Sequence, residues 1–176
     1  MSSPAHAAPG SSTAAVPAER WPSQIKFIIG NEACERYSFY GMKGILAGYI
    51  TGEVVRGGLG HTKDTATMWI HLFIMANYFM PLLGAYISDR LWGRYKTILW
   101  ISLFYCAGHG VLALSDLTQD IGIRTWMLWG GLALIAFGAG GIKPCVSAFM
   151  GDQFTSGNSR LYQKAYAAFY FSINFG

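Results

Sequence analysis

The sequence predicts an all-α membrane protein, an incomplete bundle of transmembrane helices, and three observations carry that prediction. Only 12% of its 176 residues are charged while 52% are hydrophobic, about half the charge usual in a soluble domain. Three stretches, 65–88, 97–115 and 125–142, contain no Asp, Glu, Lys or Arg. Each is close to the roughly 20 apolar helical residues needed to cross a hydrocarbon core of about 30 Å. A disordered tail, a nucleic-acid-binding arm and an ordinary cytosolic enzyme are therefore poor readings. The expected environment is the lipid bilayer, and nucleic acid is not an expected partner.

In chain order, residues 1–24 are rich in Ala, Ser and Pro and lack a bounded apolar core, so they read as a disordered cytoplasmic leader rather than a signal peptide. Residues 25–176 form the expected bundle, with helices at about 25–50, 65–88, 96–115, 124–149 and 161–176. The first helix carries Glu32, Glu35, Arg36 and Lys43 and ends before a glycine-rich break at Gly52, Gly57, Gly58 and Gly60. The last apolar run, 165–176, reaches only about 18 Å as a helix and cannot span. Four spans and the start of a fifth are expected.

Orientation follows from Lys and Arg in the short loops. One side holds Arg20, Lys26, Arg90, Arg94, Lys96, Arg160 and Lys164; the other holds Arg56, Lys63 and Arg124. Seven bases against three predicts a cytoplasmic amino terminus. Cys34, Cys106 and Cys145 have no metal-ligand or disulfide spacing and read as small packing residues. No metal site is expected.

The informative charges are those inside apolar spans. Such groups cost about 2.5–3.5 kcal/mol each near the bilayer centre, so they face a bundle interior, pair with one another and mark substrate or proton routes. At about 100° per residue, Glu32, Arg36, Tyr40 and Lys43 fall within roughly 80° of one another, with Glu35 about 60° to one side. Glu32 and Arg36 are also i, i+4 neighbours able to pair. Lys143 follows the small-residue run Gly138-Ala139-Gly140-Gly141 and precedes Pro144, where helices approach closely. His71, His109 and Asp116 are isolated polar residues in or beside charge-free spans. Within Asp89-Arg90-Leu91-Trp92-Gly93-Arg94-Tyr95-Lys96, orientation explains the bases but not Asp89, which is expected to latch onto a base of a neighbouring helix.

Four ordered blocks carry a resemblance. Glu32-Ala33-Cys34-Glu35-Arg36-Tyr37-Ser38-Phe39-Tyr40-Gly41 resembles the E-x-x-E-R-F-x-Y-Y-G motif of proton-dependent oligopeptide transporters, members of the major facilitator superfamily. Gly84 to Arg90 with Gly93 to Thr97 resembles that superfamily's loop between helices two and three. Gly138 to Phe154 resembles the family's helix-four signature, and Phe169-Tyr170-Phe171-Ser172-Ile173-Asn174-Phe175-Gly176 matches F-Y-x-x-I-N-x-G at the start of helix five.

The resemblance implies the amino-terminal part of a major facilitator bundle and symport of di- and tripeptides with protons by alternating access. It implies no cofactor, protons being the coupling ion. Glu32, Glu35, Arg36 and His71 would handle the proton. Arg36, Tyr40, Lys43, Tyr78, Lys143 and Asn174 would bind the peptide, and Asp89, Arg90 and Arg94 would form a gating loop. The sequence departs from the motif at Tyr37, Phe39 and Lys43, where Phe, Tyr and often Arg are usual. The resemblance also implies a multi-pass protein of the plasma membrane that needs a second, carboxy-terminal half as partner and does not transport alone. A nitrate or other anion transporter of the same family and a non-transporting membrane module are the alternatives. Enzymatic activity is not expected, since there is no nucleophile elbow, HExxH or phosphate loop.

Overall fold

The computed structural model describes residues 20–155 and 159–175. Most of the expected leader (1–19) and the Gly176 of the fifth-helix motif lie outside the described residues. Five helices follow in order: α1 (Ile25–Thr51), α2 (Lys63–Ile87), α3 (Arg94–Leu114), α4 (Ile121–Gly151) and α5 (Tyr162–Phe175). Among the described residues no strand occurs.

Each boundary has a local cause. Thr62 caps α2, its hydroxyl accepting from the Thr65 N–H at 3.2 Å, and Asp120 caps α4 by accepting from the Ile123 N–H at 2.9 Å; both satisfy donors that a helix start leaves free. The chain leaves α1 through a hook in which Gly57 adopts φ +89°, a conformation that disfavours any other residue. Between α2 and α3 the expected helix bounds leave residues 89–95 as a non-helical connection. The structure instead continues α2 as a π-helical turn, Ser88–Trp92, which closes when Gly93 N–H donates to the Ser88 carbonyl at 3.0 Å. Gly93 at φ +75° then redirects the backbone into α3.

Helix α4 is the centre of the bundle. Its 31 residues span about 46 Å, and it packs along both α3 and α2, while α5 lies against α1. Small residues allow this. A Cβ on Gly84 of α2 would run into the Gly141 backbone of α4, and one on Gly138 would meet Tyr105 of α3. Close backbone approach replaces the hydrophobic drive that helices lack in lipid.

Two apolar clusters result. One joins Phe39, Leu46 and Ile50 of α1 to Phe73, Tyr105, Leu132 and Ile135. The other joins Ile25 and Ile28 to Ile101, Val146, Met150 and Phe169. Between them, along α1, lie the buried charges.

Both ends of α4 are clasped by arginines. At one end Arg94 of α3 forms an ion pair with Asp152, just beyond α4. At the other, Arg124 donates to the Gly57 carbonyl at 2.6 Å and to Asp116 at 3.1 Å, and its guanidinium lies 5.8 Å from the Tyr49 ring centroid. Arg124, counted above with the loop bases, is therefore buried, because the hook brings a carbonyl to it.

The seam gives a direct expectation. Gly84→Ala forces α2 and α4 apart and destabilises the protein by about 1–3 kcal/mol, whereas Gly110→Ala, where no atom lies within 4 Å of the added methyl, is neutral or slightly stabilising. Thermal unfolding of the two purified variants in detergent measures the difference.

Candidate functional site

The site begins with one turn of α1. Residues 32, 35 and 36 share the face that α1 presents to the bundle, and all three are buried, with Glu32 6%, Glu35 9% and Arg36 5% exposed. The Arg36 Nε lies 3.2 Å from a Glu32 carboxylate oxygen, and a terminal nitrogen of Arg36 pairs with Glu35. One cation thus serves two acids. The Glu35 Oε1 is buried and makes no hydrogen bond, so the arginine leaves part of the carboxylate unsatisfied.

Neighbouring helices fix this turn. The Tyr105 hydroxyl of α3 donates to the Glu35 carbonyl at 3.0 Å and shares a second hydrogen bond with Ser38 Oγ at 2.6 Å. From α4, Lys143 extends its ammonium over the Phe39 ring, 5.7 Å from the centroid, and the Arg36 guanidinium lies over the same ring at 5.5 Å. Lys143 is within Coulombic range of Glu32, Glu35, Arg36 and Lys43, yet among the described residues it makes no ion pair. From α2, Phe73 stacks on Phe39 with centroids 5.8 Å apart. One turn later Asn77 is buried, its amide donating to the Phe73 carbonyl at 2.9 Å while its Oδ1 makes no hydrogen bond.

The other residues named from sequence lie around this nucleus to different degrees. Tyr40 is exposed and meets Phe39 edge-on at 5.7 Å. Lys43, one turn further on, is exposed. Tyr78 is 79% exposed on α2. Asn174 is exposed on α5, its amide donating to the Tyr170 carbonyl at 2.7 Å. His71 is exposed, with Nδ1 2.7 Å from the Thr67 carbonyl of its own helix; its recorded polar contact does not reach the acidic pair.

The gating loop is rearranged relative to expectation. Asp89 and Arg90 are exposed and, among the described residues, form no ion pair; the latch is made by Arg94 with Asp152 instead. The π-helical turn carries Asp89, and the acid that does pair sits at the end of α4. Tyr105, Asn77 and Phe39 were not singled out from sequence as parts of the site. The usable signal for the first two was a polar group inside a charge-free span, which they share with His71 and His109; for Phe39 it was the absence of a hydroxyl the motif normally carries.

Chemically, the cluster is a buried, nearly balanced set in which acids and bases can exchange partners. Residues 95–176 match the sequence profile described as the POT family. The chain is 45% identical over 157 residues to Peptide transporter family 1 of Drosophila melanogaster, covering 89% of this chain and 20% of that protein. It is 43% identical over 158 residues to human Solute carrier family 15 member 2, covering 89% of this chain and 21% of the relative. Among solved structures, the POT family transporter PepTSo superposes with a TM-score of 0.76 at 48% identity over 89% of this chain and 30% of that one. A peptide transporter POT mutant in complex with alafosfalin gives 0.79 at 29% identity, over 89% and 31% of the two chains. The chain thus spans about a fifth of the length of these curated relatives.

The shared arginine yields a prediction. Arg36→Met leaves two buried carboxylates without their cation and costs about 3–5 kcal/mol. Adding Glu32→Gln and Glu35→Gln to the same protein recovers most of that loss. Equilibrium unfolding of the single and triple variants, read against the wild type, measures both changes.

Proposed function

Given that the chain belongs to the POT family, we propose that it supplies part of a longer membrane transporter that carries di- and tripeptides together with protons by alternating access. The observation that supports this most is the buried Glu32–Arg36–Glu35 set with Lys143 beside it and, among the described residues, in no ion pair. Ionised acids hold Arg36 in pairs along α1. Protonation of one acid weakens its hold, and a cation then becomes available for a peptide carboxylate. Each unpaired charge is costly inside the bundle, so proton and peptide stabilise different pairings. That difference in stabilisation is what couples the two ligands.

On this reading Lys143 and Arg36 receive the peptide carboxylate, with Lys43 as a further cation. Tyr40, Tyr78 and Asn174 present polar groups for peptide termini or backbone, and His71 serves as an auxiliary proton group. All four are exposed in the part of the protein described. Lys43 is a point charge where a guanidinium would grip a carboxylate with two bonds; affinity then depends more on salt than on geometry. The protein belongs in the plasma membrane with its amino terminus cytoplasmic; the orientation is supported by the distribution of loop bases, seven against two once the buried Arg124 is set aside, and tested by protease accessibility of an amino-terminal tag in sealed cells. A second half would complete the peptide site.

In the complete transporter, Glu35→Gln lowers proton-driven uptake of a labelled dipeptide by about tenfold, within the usual range of coupling between sites. It leaves peptide exchange without a proton gradient much less affected. Uptake and exchange both at wild-type levels remove Glu35 from the coupling. Uptake of labelled nitrate in place of dipeptide by the wild type assigns a different cargo.

A further inference from the structure

The ring of Phe39 is placed where two cations converge. Arg36 Cζ and Lys143 Nζ lie 5.5 and 5.7 Å from its centroid, inside the distance at which the negative face of an aromatic ring attracts a cation. The ring is 7% exposed, so this attraction acts with little screening by water. It is also held in place: Phe73 of α2 stacks on it at an interplanar angle of 28°, and Tyr40 meets it edge-on at 80°. The two cations differ in what else they have. Arg36 holds both carboxylates, whereas Lys143, among the described residues, has no acid partner.

We propose that Phe39 is a positioning residue for the peptide site described above: its ring holds the Lys143 ammonium beside Arg36 and off the Glu32 and Glu35 carboxylates, keeping that ammonium available to a carboxylate ligand. A tyrosine ring has the same attractive face, so the missing hydroxyl does not impair this role. An aliphatic side chain at the same position leaves Lys143 with Glu32 and Glu35 as its nearest attractive groups. Lys143 would then pair internally, and the ligand would have to break that pair.

The inference rests on the peptide-binding reading, and two measurements keep the two separable. The first replaces Phe39 with mono-, di- and trifluorophenylalanine, which preserve its shape while progressively draining the ring face of negative charge. In the complete transporter, KM for a dipeptide rises stepwise, by about three- to tenfold at trifluorophenylalanine, with little change in kcat; Phe39→Tyr stays near the wild type and Phe39→Leu resembles the trifluorinated ring. The second needs no ligand. The midpoint of unfolding of the purified full chain falls stepwise along the fluorinated series, and in a Lys143→Met background the slope shrinks by about half, the remainder coming from Arg36. A midpoint indifferent to fluorination, or a slope unchanged by Lys143→Met, overturns the proposal whatever the cargo. A coupled midpoint in a protein that takes up no peptide upholds the ring contact and overturns the peptide reading. A coupled midpoint with KM unmoved in a working peptide transporter overturns the positioning role.

Discussion

The pairing of Arg36 with both Glu32 and Glu35 is the interaction on which the arrangement of α1 depends. Two acids and one base in one turn of a membrane helix are tolerable only if that helix lies inside protein and a second cation, here Lys143 of α4, stands near enough to offset the remaining negative charge. The two apolar clusters flank this layer and seal it, Ile28 on one side and Phe39 on the other. The pairing is incomplete. Glu35 keeps a carboxylate oxygen without a hydrogen bond, and Lys143, whose charge brings the count to two acids and two bases, makes no ion pair among the described residues and lies over the Phe39 ring. A set that is nearly but not fully satisfied can rearrange at small cost, which a fully paired core cannot.

Everything around that layer serves to bring α4 close enough to it. Gly84 against Gly141, and Gly138 against Tyr105, remove the side-chain thickness that would otherwise separate the helices. Tyr105 then reaches the Glu35 carbonyl and fixes the backbone of the charged turn. The ends of α4 are held by ion pairs of different exposure. Arg124 is buried and binds a backbone carbonyl as well as the exposed Asp116. Arg94 and Asp152 are both substantially exposed, and a pair so exposed contributes little to stability. The Arg124 end is thus the firm one and the Arg94 end the looser one.

Much of this could be read from the chain, because the signals were local. Absence of charge over some 20 residues marks a span whatever surrounds it, and i, i+4 spacing puts Glu32 beside Arg36 in any α-helix. The long-range parts could not be read so directly. Asp89 looked like the latch because it stood among bases in sequence, yet Asp152 is the acid that the end of α4 brings to Arg94. Arg124 looked like a loop base because the hook that buries it lies 67 residues earlier in the chain. Phe39 read as the loss of a hydroxyl, while its packing shows a ring shared by two cations.

The sequence by itself determined that α2, α3 and α4 are long and apolar enough to cross a membrane, α1, expected as a further span, not being among them, and which turn of α1 carries charge, since each follows from the period and composition of a short segment. Only the tertiary structure decided which partners those charges have. Lys143 is more than a hundred residues from Phe39, and what brings them together is the close packing of α4 on α2 and α3 through Gly84, Gly138 and Gly141, with Phe73 of α2 and Tyr105 of α3 holding the charged turn of α1. Residue type fixes what a group can bind; packing fixes what lies within reach.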